Sequence, residues 1–305
     1  MPIALHAQVE GAIPTQALVR VDSKESVMPA AQALVLELDK HSVPVTSVVP
    51  IQPSGVQIAL LIDDGLSRSA GIQLQDLRAF AQGLPQGTEL LVGYMTNGRV
   101  EVEMPFTTDH AAAAAKIRLP LGEPGLSASP YFCLSDFAKH WPGTQRAEQG
   151  TSSRGSKARF AMMITDGVDP YNGSVSIFNQ DSPYVQSAII DAQRAGVQVS
   201  SVYYSDAGLG GGAASFSGQS YLNQVSEATG GVAYYQGTIN PVSLKPYLDQ
   251  FKKAIAETYV ATFPANAQGG GRQHLVKMKL TSAKLKLRHP DQVRPGNREM
   301  GAASE

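Results

Sequence analysis

Between Val56 and Ile62 every residue but Gln57 is apolar, and the chain then turns acidic at Asp63 and Asp64. Such a run is far too short to cross a bilayer, which takes about 20 residues. It also has no polar face to show to water, so it reads as a strand buried on both faces of a parallel sheet. The pattern recurs: Phe160 to Thr165 ends at Asp166, Val197 to Tyr204 follows Gly196, and Val232 to Tyr235 follows Gly230-Gly231.

Helical spacing fills the intervals. Leu77, Phe80, Ala81 and Leu84 stand at i, i+3, i+4 and i+7, which places them on one helix face. Asp109 to Ile117 is an alanine-rich helix. Leu134, Phe137, Ala138 and Trp141 repeat the spacing, with Ser129 as N-cap and Pro130 at the first helical position, where a missing N–H does no harm. Ser182-Pro183 opens a helix that buries Val185, Ala188, Ile189 and Ala192. Another carries Leu222, Val225 and Thr229, and Asn240-Pro241 starts a last one with Leu244, Tyr247, Leu248 and Phe251 on one side. Asn97-Gly98 joins Thr88–Tyr94 to Arg99–Phe106 as a hairpin, because both turn residues tolerate positive φ. The expected fold class is therefore α/β: a doubly wound, mostly parallel sheet with helices on both faces and one antiparallel edge strand.

The flanks differ. Ala17–Val21 and Ala33–Leu38 read as short strands, and so do Thr258–Phe263, His274–Leu280 and Lys284–Leu287 near the other end. They predict a small β appendage. The expected division is a flexible start at 1–17, an N-terminal β unit at 18–54, the α/β domain at 55–260, C-terminal strands at 258–290 and a flexible tail at 291–305. Residues 143–158 read as an excursion without period. From Arg272 to Arg298 eight basic residues face one acidic one, Asp291. They form either the solvated side of a half-buried ribbon or a patch for an anionic partner.

Over the whole chain 25 basic and 26 acidic side chains leave a net charge of −1, which excludes a nucleic-acid polycation. One cysteine, Cys133, excludes an internal disulfide and a cysteine-based zinc site. The stretch MPIALHAQ is no complete signal peptide; it is either the stub of one, with Ala7 before the cut, or a flexible start.

In open α/β sheets the functional crevice lies beyond the carboxyl ends of the strands. Asp63 and Asp166 both arrive there. Carboxylates delivered by apolar strands need a partner, and a hard divalent cation, Mg²⁺ or Mn²⁺, is one candidate. The alternative is that they accept N–H groups of neighbouring loops while Ser129 only caps its helix. Asp64 and Asp169 are extra carboxylates or simply solvated. Gly208–Gly212 lacks a phosphate-loop pattern, and Cys133 and Trp141 read as core residues. No histidine has metalloprotease spacing or a nucleophile beside it.

The segment LLIDDGLSRSAG resembles the D-x-S-x-S motif of the von Willebrand factor type A domain, whose metal-ion-dependent adhesion site follows the first strand. Asp63 matches its Asp and Ser67 its second Ser, but Gly65 stands where the first Ser belongs. MITDGVDP is similar to the fourth-strand T-D-G motif, and that resemblance implies that Asp166 is the aspartate standing behind the metal's direct ligands. Ser129, with Ser127 as alternative, takes the place of the loop Thr. ATGGVAYY and TYVATFPANAQGGGRQHLVKMKL resemble elements of a bacterial, usually exported subgroup, so the likeness spans roughly residues 20–288. It implies a metal site formed by Asp63, Gly65, Ser67, Ser129 and Asp166, holding Mg²⁺ or Mn²⁺ weakly or not at all. It also implies a non-enzymatic adhesion module that recognises a protein or cell-surface ligand presenting an acidic residue, outside the cytoplasm. The competing readings are a metal-dependent hydrolase on the same carboxylates and a scaffold with a decayed site.

Overall fold

The computed structural model describes residues 11–22, 27–122, 129–143, 157–169, 181–205, 211–237, 239–266 and 274–297. The buried apolar run becomes strand β5 (Val56–Asp63), following β1 (Ile13–Val21), β2 (Leu34–Leu38), β3 (His41–Val43) and β4 (Ser47–Pro50). After it come α1 (Leu74–Gln82), β6 (Glu89–Thr96), β7 (Arg99–Thr107), α2 (His110–Ala115), α3 (Pro130–Lys139) and β8 (Ala158–Thr165). The chain continues through α4 (Pro183–Arg194), β9 (Val197–Tyr203), α5 (Gly211–Thr229), β10 (Ala233–Tyr234) and α6 (Lys245–Ala256). It closes with β11 (Thr258–Ala265), β12 (Val276–Ser282), β13 (Leu287–Arg288) and β14 (Gln292–Val293).

The central sheet has the order β10-β9-β8-β5-β6-β7. All its pairings are parallel except β6 with β7, the hairpin whose Asn97 and Gly98 have φ of 49° and 78°. Renumbered within the sheet this is 3-2-1-4-5-6 read from the β7 edge, the doubly wound order, and the direction of winding reverses between β5 and β8. Two apolar layers cover it because strand side chains alternate. Ile58, Leu60 and Ile62 of β5 meet Leu77 and Phe80 of α1, Ala113 of α2 and Leu248 and Phe251 of α6. Ala59 and Leu61 meet Leu134 and Phe137 of α3, Val185 and Ile189 of α4 and Leu222 and Val225 of α5. Trp141 lies in this second layer, 1% exposed, as a core residue.

The two ends of the chain make a sandwich of antiparallel sheets, β13-β1-β11-β4 and β14-β12-β2-β3. Its core runs through Val19, Leu36, Phe263, Met278 and Leu280. On β12 Val276, Met278 and Leu280 point inward while Lys277 and Lys279 are exposed, so these lysines form a ribbon's solvated face. Three boundaries differ from the sequence reading. Ordered strand begins at Ile13 inside the expected flexible start, because Ile13 pairs with Ala265. The last helix begins at Lys245 and not at Asn240, because Asn240 is held in a loop by Ser205 and Gln73 bonds Pro241 O. Residues 292–293 form β14, and Asn297 is buried, inside the expected flexible tail. Most of the expected excursion at 143–158, and residues 1–10, 123–128 and 206–210, lie outside the described residues.

Candidate functional site

Asp63 ends β5 at the reversal point and is only 4% exposed. Its Oδ1 accepts the Gly65 N–H at 2.9 Å and its Oδ2 accepts the Thr165 hydroxyl at 2.7 Å. Thr165 is the last residue of β8, so this bond closes the crevice between the two strands that flank the reversal. The Thr165 Oγ1 also accepts the Gly167 N–H at 3.1 Å. Asp166 bends back on its own loop, where Oδ1 accepts the Val168 N–H at 2.9 Å. Gly167 takes φ of 67°, and its carbonyl accepts the Tyr131 hydroxyl at 2.8 Å. A side chain there would meet Gly218 O and Leu222 Cγ at 2.6 Å, so only glycine lets α5 approach the Asp166 loop.

Tyr131 is fully buried, edge-on to Tyr221 with centroids 5.9 Å apart. Burial first, and then the negative field of Asp166, Asp169 and Asp63, push its hydroxyl well above the ordinary tyrosine range. Two residues earlier, Ser129 is also fully buried, and its Oγ accepts the Tyr131 N–H at 3.3 Å as the cap of α3. Ser67 is half-buried, with its Oγ 2.6 Å from Ser69 Oγ. Thr165 thus links the Asp63 carboxylate to the Gly167 backbone, while the Asp166 carboxylate bonds Val168 of its own loop. Ser129 and Ser67 meet Tyr131 and Ser69 in the bonds just described.

The neighbouring carboxylates are not solvated. Asp64 is 6% exposed and accepts the Arg118 guanidinium at 2.7 Å and the Leu121 N–H at 3.0 Å. Arg118 also reaches Glu103 at 2.9 Å and lies over the Tyr94 ring at 3.7 Å. Burial works against its charge, but the hydrogen bonds to Asp64 and Glu103 outweigh that and raise its pKa. Asp169 is fully buried and accepts the Ser182 hydroxyl at 2.6 Å. Cys133 is buried too, and that burial pushes its thiol up to about 12, so it stays protonated and packs.

As a metal centre the donor set is right in kind and short in number. It offers hard oxygens, but Gly65 contributes none, and both Asp63 oxygens and the Ser129 oxygen accept protein donors. No three His, Cys, Asp or Glu side chains converge on one point among the described residues. The described residues supply one side-chain oxygen fewer than the adhesion motif, and Ser127 lies outside them. Thr165, Tyr131 and Arg118 were not singled out from the sequence. Thr165 stands in the T-D-G motif, where a hydroxyl at the end of a buried strand was the available signal; nothing around Arg118 marks its pairing with Asp64.

No protein-family model matches the chain, and no curated protein matches it. Among solved structures it is similar to BatB from Bacteroides thetaiotaomicron, at 14% identity over 66% of this chain and 98% of that one, with a TM-score of 0.42. It is similar to a von Willebrand factor type A protein from Catenulispora acidiphila, at 13% identity over 94% of this chain and 74% of that one, TM-score 0.45. It is also similar to proximal thread matrix protein 1 from the mussel byssus, solved with a zinc-occupied adhesion motif, at 14% identity over 73% of this chain and 50% of that one, TM-score 0.45.

Proposed function

We propose that this chain is a von Willebrand A-type interaction module that binds a protein or cell-surface ligand through the loops at the carboxyl edge of its central sheet. The observation that carries this reading is the placement of the Asp63 and Asp166 loops, joined by the Thr165 hydroxyl, at the one reversal of a doubly wound sheet. No described side chain beside them is set up as nucleophile and base, which favours recognition over turnover. The metal site is degenerate: with Gly65 in place of a serine, a cation gains one side-chain oxygen fewer, and recognition runs through the loops themselves. The resemblance to an exported subgroup supports a place outside the cytoplasm. A genomic reading frame with no signal peptide upstream of this chain would count against that part. Among the described residues no helix is long and apolar enough to cross a membrane.

Calorimetry with millimolar Mg²⁺ and Mn²⁺ tests the metal statement. The wild type should give no heat and no rise in thermal midpoint, Gly65→Ser should gain both, and Asp63→Ala added to Gly65→Ser should lose them again. Strong heat in the wild type that vanishes in Asp63→Ala would overturn it. Hydrolysis of generic phosphoester or peptide substrates, abolished by Asp63→Ala, would overturn the non-enzymatic reading independently.

A further inference from the structure

At the end of β1, far from the crevice in sequence, four charged side chains share one face of the sandwich. Arg20 and Arg288 are directly opposed in the antiparallel β1–β13 pair. Asp22 stands two residues beyond Arg20 and Lys286 two before Arg288, the spacing that keeps strand side chains on one side. Like charges directly opposite each other are destabilising unless an anion lies between them. Here the only carboxylate of the four belongs to Asp22, and it is shared thinly: 3.7 Å from Arg20, 3.5 Å from Arg288 and 3.8 Å from Lys286. Among the described residues three cations face one carboxylate. Glu257, a further acid near Arg20, lies 3.5 Å from Lys253.

Among the described residues one donor of the cluster stays open. Arg20 is 6% exposed, and its buried Nε–H has no hydrogen-bond partner among the described residues, although Tyr234 bonds its guanidinium elsewhere; Arg288 has its Nε 3.5 Å from Asp22 Oδ2 and donates from Nη1 to Gly231 O at 3.4 Å. Burial, the largest influence on Arg20, lowers its pKa despite Asp22. The outer side is open: the Lys286 side chain is 73% exposed, Asp22 38% and Arg288 29%. The Arg20 guanidinium is buried, and beside it Lys286 and Arg288 reach solvent.

We propose that Arg20, Arg288 and Lys286 form a binding site for a small divalent oxyanion of the phosphate or sulfate type, with Asp22 as its internal competitor. An excess of two positive charges matches such a dianion, and guanidinium groups suit its oxygens because their N–H fork is planar and weakly hydrated. The site is independent of the crevice and of any ligand bound there.

The test is a titration of the whole chain with inorganic phosphate against chloride at matched ionic strength, read by calorimetry and by thermal midpoint. Phosphate should bind and raise the midpoint beyond the chloride control, and Arg288→Gln should abolish the heat. Asp22→Asn should tighten binding about fivefold, the equivalent of one partly exposed charge interaction removed. That arm separates a ligand site from a structural ion pair, because a purely structural Asp22 would lower stability on mutation and leave phosphate affinity nil. Equal behaviour in phosphate and chloride for both wild type and Asp22→Asn overturns the proposal, and so does unchanged binding in Arg288→Gln.

Discussion

Tyr131 does two things for the crevice: its ring fills the second apolar layer and its hydroxyl fixes the Gly167 carbonyl. Its pKa is raised on folding, so the neutral form is the one the fold favours. That contribution is fully present below the unfolded tyrosine pKa of about 10 and is lost as pH climbs from there through the folded value. Tyr131→Phe should therefore cost about 1 kcal/mol at neutral pH through the lost hydrogen bond. It should also flatten the fall in stability above pH ~10, while Tyr94 and Tyr234, also raised chiefly by burial, keep some slope. Urea unfolding of both proteins from pH 7 to 11 measures this, and parallel curves would refute it. At this scale the sequence was legible where a residue type has one role at its position. Ser129 before Pro130 is such a case, and it caps α3 as expected. Asp64 was not, because nothing in the order of residues says that Arg118, 54 positions later, folds back over it.

Helix α5 shows what an element contributes that its residues do not. Its apolar face, with Leu222 and Val225, is visible from spacing alone, but its closeness to the Asp166 loop is not. A Cβ at Gly218 would lie inside van der Waals contact with the Asp166 carbonyl oxygen, and Gly167 faces the same helix from the other side. Gly218→Ala gains helix propensity of about 1 kcal/mol. The clash is with backbone, which cannot rotate away, so the net effect should be a loss of about 1–3 kcal/mol. Chemical denaturation of the variant measures the sign; a stabilised Gly218→Ala would mean that the helix can back off and that the Asp166 loop is not clamped.

At the scale of the molecule, β1 enters the sandwich before the α/β unit is made and β11 pairs with it afterwards, along eight consecutive residue pairs. Leu18 of β1 and Val260 of β11 belong to the first apolar layer of the central sheet, while Val19 and Ala261 belong to the sandwich core. The two cores are stitched through alternate residues of the same strands, so they should unfold together. Phe263→Ala, fully buried in the sandwich, should lower stability by about 3–5 kcal/mol. The loss should appear equally in far-UV dichroism and in the fluorescence of the single tryptophan, Trp141, which lies in the other unit. A tryptophan transition left unmoved while dichroism shifts would show two independent folding units.

Local order determined the strands buried on both faces, the helices between them, the hairpin at Asn97 and the arrival of Asp63 and Asp166 at the carboxyl edge. Each follows from periodicity, capping or turn chemistry within about a dozen neighbouring residues. The tertiary structure alone decided which strands adjoin, and so that the reversal falls between β5 and β8 and that Thr165 meets Asp63. It alone opposed Arg20 to Arg288 across 268 positions, and extended β1 to Ile13 and the tail to Asn297. These are contacts between segments remote in the chain. Their energy comes from the partner surface each segment finds, a quantity that no stretch of sequence carries by itself.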